Sequence, residues 1–443
     1  MHILQWFVDL GASVMLPIIF FIFALILRTG IKKAFYSGIT VGIGFVGVNL
    51  VLDLLTESLG PAAQSMVHHF GMDLQMIDVG WPAASAISYG TVLGSLAIPI
   101  SIGVNTLLLT IGLTKTVNVD IWNYWHMAFT GALVYAITND FTLGILTIGV
   151  HAMVVLLAGD LLADDVESYF GYQKMTFPHA ASAPSYFLAK PMNALFDRIP
   201  KFNQIQANPE TIQRRFGLFG NSTVLGALLG LLIGLLAGYG IQDTFQLAVQ
   251  TAAVMLLMPK MVALLMEGLT PISEAASNRI KKRFPDRDLY IGMDSALTIG
   301  HPAVLSASLL MVPITLAMAV ILPGNRVLPF GDLASLPFLF CLMVPVYRGN
   351  IIRTVITATI YIGAGLYIAT WIAPLFTEMA INADFDTETN TIISSLIDGA
   401  VWTTFIFAGS GQWLGWFGIG LIGIMAFAGL LYIHKWKRKE NNQ

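Results

Sequence analysis

Apolar stretches of about twenty residues recur from one end of the chain to the other, separated by short polar segments. That length matches the hydrocarbon thickness of a bilayer, so the pattern predicts an all-α polytopic membrane protein. The alternating ten-residue strands of a membrane β-barrel are missing. Candidate spans lie at about 11–27, 34–55, 80–112, 124–138, 141–160, 217–239, 246–268, 296–322, 332–347, 351–374 and 412–433, eleven in all. The first is read as a retained span, because neither a basic segment nor a small-residue cleavage site goes with it. The stretch 80–112 is long for one crossing, and with 393–411 it is expected to contain half-helices or hairpins.

Basic residues orient this pattern, since cytoplasmic loops collect Lys and Arg. Arg28, Lys32 and Lys33 follow the first span, and Lys174, Lys190, Arg198, Lys201, Arg214 and Arg215 fill 161–216. Arg279, Lys281, Lys282, Arg283 and Arg287 form a third group, and Lys435, Lys437, Arg438 and Lys439 a fourth. The segments 56–77 and 375–390 hold acids and neither Lys nor Arg. The arrangement predicted is an outside N-terminus, eleven crossings and a cytoplasmic C-terminus. The segment 161–216 is expected to be a cytoplasmic or re-entrant loop, and 272–290 a basic amphipathic helix at the membrane surface ended near Pro285.

Composition agrees. Of 443 residues, 56% are hydrophobic and 11% charged, against about 25% charged in soluble domains. The net charge of −3 argues against nucleic acid as a partner. One cysteine, Cys341, gives no disulfide framework or thiolate cluster. No G-x-x-x-x-G-K-[ST] occurs, which argues against an ATP-driven pump, and no histidine pair has metal-site spacing. No cofactor is expected.

Two segments resemble each other: Asp78 to Pro99 and Asp294 to Pro313. Each opens on an acid, passes a Gly-X-Pro (Gly80-Trp81-Pro82, Gly300-His301-Pro302) and runs through small residues to a second proline. The predicted topology has them entering from opposite sides, so they suggest inverted repeats with broken helices meeting near the midplane, as in secondary carriers. Broken helices expose backbone polar groups, tolerated at that depth only around a cavity. Ionisable residues left among apolar ones are then functional candidates. Asp78 and Trp81 offer a carboxylate and an aromatic platform for a polyhydroxylated solute, and Asp294 and His301 a second polar pair. His179, in FPHAASA, reads as a re-entrant tip. His151 lies alone in an apolar run. His126 reads as part of an aromatic belt and Asp332 as a helix N-cap.

With these residues in view, the chain resembles the galactitol-type IIC membrane component of the bacterial phosphoenolpyruvate-dependent sugar phosphotransferase system. The likeness rests on DVGWP (78–82), NVDIWNYWHMAFTGAL (118–133), FPHAASA (177–183), MEGLTPI (266–272), GMDSALTIGHPAVLSASL (292–309), PGNRVLPFGDLA (323–334) and YRGN (347–350). It implies one IIC membrane domain over 1–443, folded like the ascorbate IIC carriers and dimeric. A V-shaped dimerisation part would cover about 9–55 and 217–268, and a core part about 78–160 and 292–433. It implies an alditol, most closely galactitol, bound outside, translocated by alternating access as an elevator, and phosphorylated inside by a separate IIB phosphocysteine protein charged through IIA. The expected solute-binding residues are Asp78, Trp81, His151, His179, Asp294 and His301, with Asp294 or His301 orienting the reacting hydroxyl. The family pattern expects Gly-Thr after the histidine of FPHAASA, where this chain has Ala180 and Ala181, a departure that bears on the choice of polyol. The alternative is an ion-coupled carrier for a polyol or sugar acid, released unmodified, with the buried acids and histidines as a proton relay.

Overall fold

A computed structural model describes residues 12–70, 74–118, 123–200, 221–283, 289–299, 301–385 and 391–440. Helices dominate it. In chain order they are α1 (Ala12–Ile26), α2 (Ile31–Phe70), α3 (Gly80–Gly90), α4 (Val92–Thr110), α5 (Tyr124–Thr138), α6 (Phe141–Phe170), α7 (Ala183–Phe196), α8 (Ser222–Leu236) and α9 (Ile241–Arg283). There follow α10 (Ala296–Ile299), α11 (Pro302–Ile321), α12 (Leu336–Phe340), α13 (Met343–Val346), α14 (Ile351–Asn382), α15 (Leu396–Ala400) and α16 (Trp402–Glu440). Among the described residues seven of these are long and apolar enough to cross a membrane: α2, α4, α6, α9, α11, α14 and α16. The apolar parts of α1 and α8 are shorter.

Helix ends follow local chemistry. The Asp140 carboxylate accepts from the Leu143 amide at 3.0 Å and starts α6, which closes on Gly171 in the left-handed region. Asn350 starts α14 in the same way, accepting from Arg353 N at 3.2 Å. The expected break in 80–112 falls at Thr91, whose hydroxyl caps α4. Inside α16, Gly415 has φ 54° and ψ −131°. The added Cβ of Gly418 would lie 2.7 Å from the Ser410 carbonyl oxygen, whereas eight residues of straight helix span about 12 Å. The chain therefore doubles back at Gly415, and α16 is a helical hairpin with its second arm along α6.

Three expectations change. The span at 332–347 is a 3₁₀ turn (Leu333–Ser335) followed by the short α12 and α13. Pro337 and Pro345 withhold amide donors there. The surface helix at 272–290 is a continuation of α9 as far as Arg283, and 284–288 lie outside the described residues. Part of the 161–216 loop is ordered structure, the end of α6, a strand and α7, while 201–220 lie outside the description.

Among the described residues, six short strands sit at the helix breaks: β1 (Met76–Asp78), β2 (Thr116–Asn118), β3 (Met175–Thr176), β4 (Tyr290–Gly292), β5 (Val327–Leu328) and β6 (Ile392–Ser394). They form two parallel three-stranded sheets, β5-β1-β6 and β2-β4-β3. Each sheet has its central strand from one half of the chain and its flanking strands from the other. The order of elements from α1 to α7 is repeated from α8 to α15, so β1, β2 and β3 correspond to β4, β5 and β6. Aligning the two central strands sets Asp78 level with Gly292, so the acids that head the two similar segments are two positions out of register.

Helices α1, α2, α8 and α9 pack chiefly on one another. Small residues let their backbones approach. Gly226, Gly230 and Gly234 of α8 lie on Ala252, Ala248 and Thr244 of α9, and the Ser37 hydroxyl donates to the Gly268 carbonyl. A Cβ on Gly44 would lie 2.5 Å from the Leu265 amide nitrogen. Gly44→Leu should therefore push α2 off α9 and cost about 1–3 kcal/mol, read as a lower thermal midpoint in detergent. An unchanged midpoint would mean that the two helices are not in this contact.

Candidate functional site

Six chain breaks converge on one small cleft. Trp81 comes from the first turn of α3, Trp125 and His126 from that of α5, and His179 and Ala181 from the segment after β3. Asp294 comes from just after β4, Phe338 from α12 and Ile397 from α15. The cleft has a volume of ≈ 30 Å³, room for one or two waters.

Its wall is aromatic with a few polar edges. The Trp81 and Trp125 rings stack with centroids 6.5 Å apart, His126 lies 3.9 Å from Trp125, and His179 meets the edge of His126 at 5.2 Å. Trp81 is pinned by its indole N–H, which donates to the Ser335 hydroxyl at 2.9 Å. His126 Nδ1 lies 2.9 Å from Asp398 Oδ1, a fully buried pair. His179 Nε2 lies 3.7 Å from Asp294 Oδ1, and that oxygen also accepts from the Ala296 amide at 2.8 Å. Asp294 is 23% exposed where His179 is buried. His126 Nε2, His179 Nδ1 and Asp398 Oδ2 are buried without a hydrogen-bond partner. Such atoms are rare in native interiors and call for a ligand or water. Among the described residues, no group of acids, histidines and cysteine could hold a metal ion.

The other acids do different work. Asp78 is wholly buried, and its oxygens accept from the amides of Gly80 (3.1 Å), Leu396 (3.0 Å), Phe330 (3.1 Å) and Asp332 (2.9 Å). Asp332 accepts from the amides of Trp81 (2.6 Å) and Ile397 (2.8 Å) and from the Ser395 hydroxyl (3.0 Å). Two carboxylates thus serve the starts of three helical segments, one of them the helix that carries Trp81. At the other sheet, amides take much of this part. Asn105 bridges Thr116 O and Asn118 N, Asn123 receives Ala180 N and donates to the Pro178 carbonyl, and Asp160 accepts from Lys115 N and Thr116 Oγ1.

Of the six residues singled out in the sequence, Trp81, His179 and Asp294 line the cleft. Asp78 lies behind it, in the backbone network. His301 caps α11, accepting from Ala303 N at 3.3 Å, and packs against Tyr169 and Phe170 instead. His151 bonds Thr130 Oγ1 at 2.8 Å and lines a different cavity. The break between α10 and α11 separates His301 from Asp294. His126 belongs to the site although its tryptophan neighbours suggested an aromatic belt. Asp398 was not singled out, yet an acid between Ile397 and Gly399 in an apolar segment was visible as a signal.

The chain matches the family model described as the sugar-specific permease component of the phosphotransferase system over residues 6–389. It is 44% identical over 382 residues to the PTS system galactitol-specific EIIC component of Escherichia coli K12, which covers 86% of this chain and 85% of the relative. The same identity and coverage hold for the protein of that name from Escherichia coli O157:H7. The chain therefore belongs to the sugar-specific permease components of the phosphotransferase system, and it is a multi-pass membrane protein.

The geometry separates two kinds of aspartate. Asp78→Ala strips the acceptor from four buried amides and should cost at least about 3 kcal/mol, whereas Asp294→Ala, with one local amide bond, should cost less than about 1.5 kcal/mol. Thermal unfolding of the two variants in one detergent checks this, and equal losses would count against the division.

Proposed function

We propose that this chain carries a hexitol, galactitol by likeness to its relatives, and that the cleft between Trp81, Trp125, His126, His179 and Asp294 holds it. The carrying observation is the convergence, from four of the six helix breaks, of two tryptophan rings with a carboxylate and two histidines. A hexitol presents an apolar C–H face and several hydroxyls. Indole rings suit the first, and carboxylate and imidazole edges the second. The unpartnered His126 Nε2 and His179 Nδ1 supply hydrogen-bonding capacity that the protein itself leaves unused. At ≈ 30 Å³ the cleft is narrower than a hexitol, so the loaded form is wider than this one.

The proposed topology has an outside N-terminus, a cytoplasmic C-terminus and eleven crossings. Seven long helices and the two shorter ones, α1 and α8, supply nine. Two composite crossings, β2 with α5 and β5 with α12–α13, supply the rest. The repeated order of elements and the exchange of strands between halves support inverted repeats. Helices α1, α2, α8 and α9 would be the V-shaped part and form the homodimer, and the remainder would be a core that moves past it as an elevator. The outside sheet is then β5-β1-β6 and the cytoplasmic one β2-β4-β3.

Inside, the solute's primary hydroxyl meets a phosphocysteine on a separate IIB protein, itself charged by IIA. Cys341 is fully buried, which fits a phosphoryl carrier on another polypeptide. In the transfer the hydroxyl oxygen forms a bond to phosphorus as the S–P bond breaks, and the hydroxyl proton passes to Asp294 or His179. Such transfers depend on positioning and charge relief. The ester's charge then keeps the product from the apolar cleft.

Asp294→Asn should lower hexitol affinity at least tenfold while the thermal midpoint holds, as measured by binding to purified protein. Normal uptake by that variant would sink the site assignment. In vesicles, phosphorylated hexitol should accumulate only with IIA, IIB and a phospho-donor, and should persist when the proton gradient is dissipated. Collapse of uptake with that gradient, and release of unmodified solute, would favour the ion-coupled alternative.

A further inference from the structure

A second cavity, of ≈ 420 Å³, lies between α6, α7 and the first turns of α16. Its lining is nearly all carbon, from Val154 and Ala158 of α6, Phe187 and Pro191 of α7, and Trp402 and Ile406 of α16. Water needs two to four polar partners to be held in such a place. On this lining His151 Nε2 and Thr403 Oγ1 are buried atoms without one, far too few to hydrate the volume. A dry void of that size would forfeit the packing contacts of its whole wall. The shape calls for an apolar occupant.

The mouth indicates where that occupant comes from. Phe187 and Ile406 are 44% and 49% exposed, and Leu161, Leu195 and Phe405 continue the exposed apolar surface. None of α6, α7 and α16 packs substantially on the bundle of α1, α2, α8 and α9, so this flank faces away from it. In a multi-pass membrane protein such a surface meets lipid tails, and irregular backbone behind it must be sealed from them. One wall is shared with the site: Ala181 lines the cleft, while Ala180 and Ala183 line the second cavity.

We infer that this cavity binds one acyl chain of a membrane phospholipid, inserted between α7 and α16 and packed on the back of the segment that carries His179. The lipid is then a structural component of the site wall, whichever polyol the cleft takes. Small side chains at 180–183 leave the wall thin, and the chain supplies the missing bulk.

The test uses the full chain in nanodiscs of phosphatidylethanolamine and phosphatidylglycerol doped with a phosphatidylethanolamine bearing a mid-chain diazirine. Photolysis should label peptides containing Val154–Ala158, Phe187 or Ile406 several-fold above the exposed, ordinary lipid-facing peptide around Ile424. Ala158→Phe and Val154→Trp fill the space from within and should each cut that labelling at least fivefold with little change in thermal midpoint. Two filled variants guard against one failing to fold. Labelling no higher than at Ile424, or undiminished in a folded filled variant, would overturn the assignment.

Discussion

Inside a bilayer a helix cannot simply stop. Its first amides must find acceptors, because no water is there to supply them. This fold breaks its helices repeatedly around one cleft, and everything near the cleft depends on how those ends are satisfied. Asp78 and Asp332 take six backbone amides and one hydroxyl between them. Each accepts from segments far apart in sequence, so the carboxylates join α3, the stretch after β5 and the stretch after β6 into one unit. Two buried carboxyl groups would be costly without partners, but the amides and the hydroxyl that converge on them make the burial tolerable.

That arrangement leaves other polar side chains unengaged. Asp294 spends one oxygen on a nearby amide and remains partly exposed, and the rings of His126 and His179 each keep a nitrogen without a partner. The interior thus separates carboxylates that hold backbone from polar edges that stay available. The two sides are not chemically alike. Carboxylates dominate around β5-β1-β6, while asparagine amides share the task around β2-β4-β3. An amide both donates and accepts, so it can bridge strand and turn where a carboxylate can only gather donors.

Much of this was legible in the sequence. Apolar length locates most of the long helices, the prolines and glycines mark the breaks, and FPHAASA, singled out for its histidine, does bring His179 to the cleft. What did not carry through was register. Asp78 and Asp294 head similar segments, but with the two central strands aligned they lie two positions apart, so similar surroundings gave one a scaffold role and the other a place in the cleft. His126 reads as belt chemistry because tryptophan neighbours mark an interface as readily as a binding site. Asp398 lies on the short helix α15, too brief for any periodicity, so only its place among apolar residues marks it. A half-helix or hairpin is expected in 393–411, but the turn itself falls at Gly415, which hydropathy does not place because both arms are apolar.

The strand exchange constrains how such a molecule can open. In a carrier whose halves rock apart, each half must keep its own hydrogen bonds. Here every sheet takes its centre from one half and its edges from the other. Rotating one half against the other would break four parallel strand pairings and tear Asp78 from Phe330, Asp332 and Leu396. By contrast, the bundle of α1, α2, α8 and α9 shares no sheet with the rest, and its own contacts are close and glycine-lined. The least costly boundary for motion therefore runs between that bundle and the cleft-bearing unit. Displacement along it carries the cleft bodily, without breaking the carboxylate network that shapes it, which is the motion the elevator proposal requires.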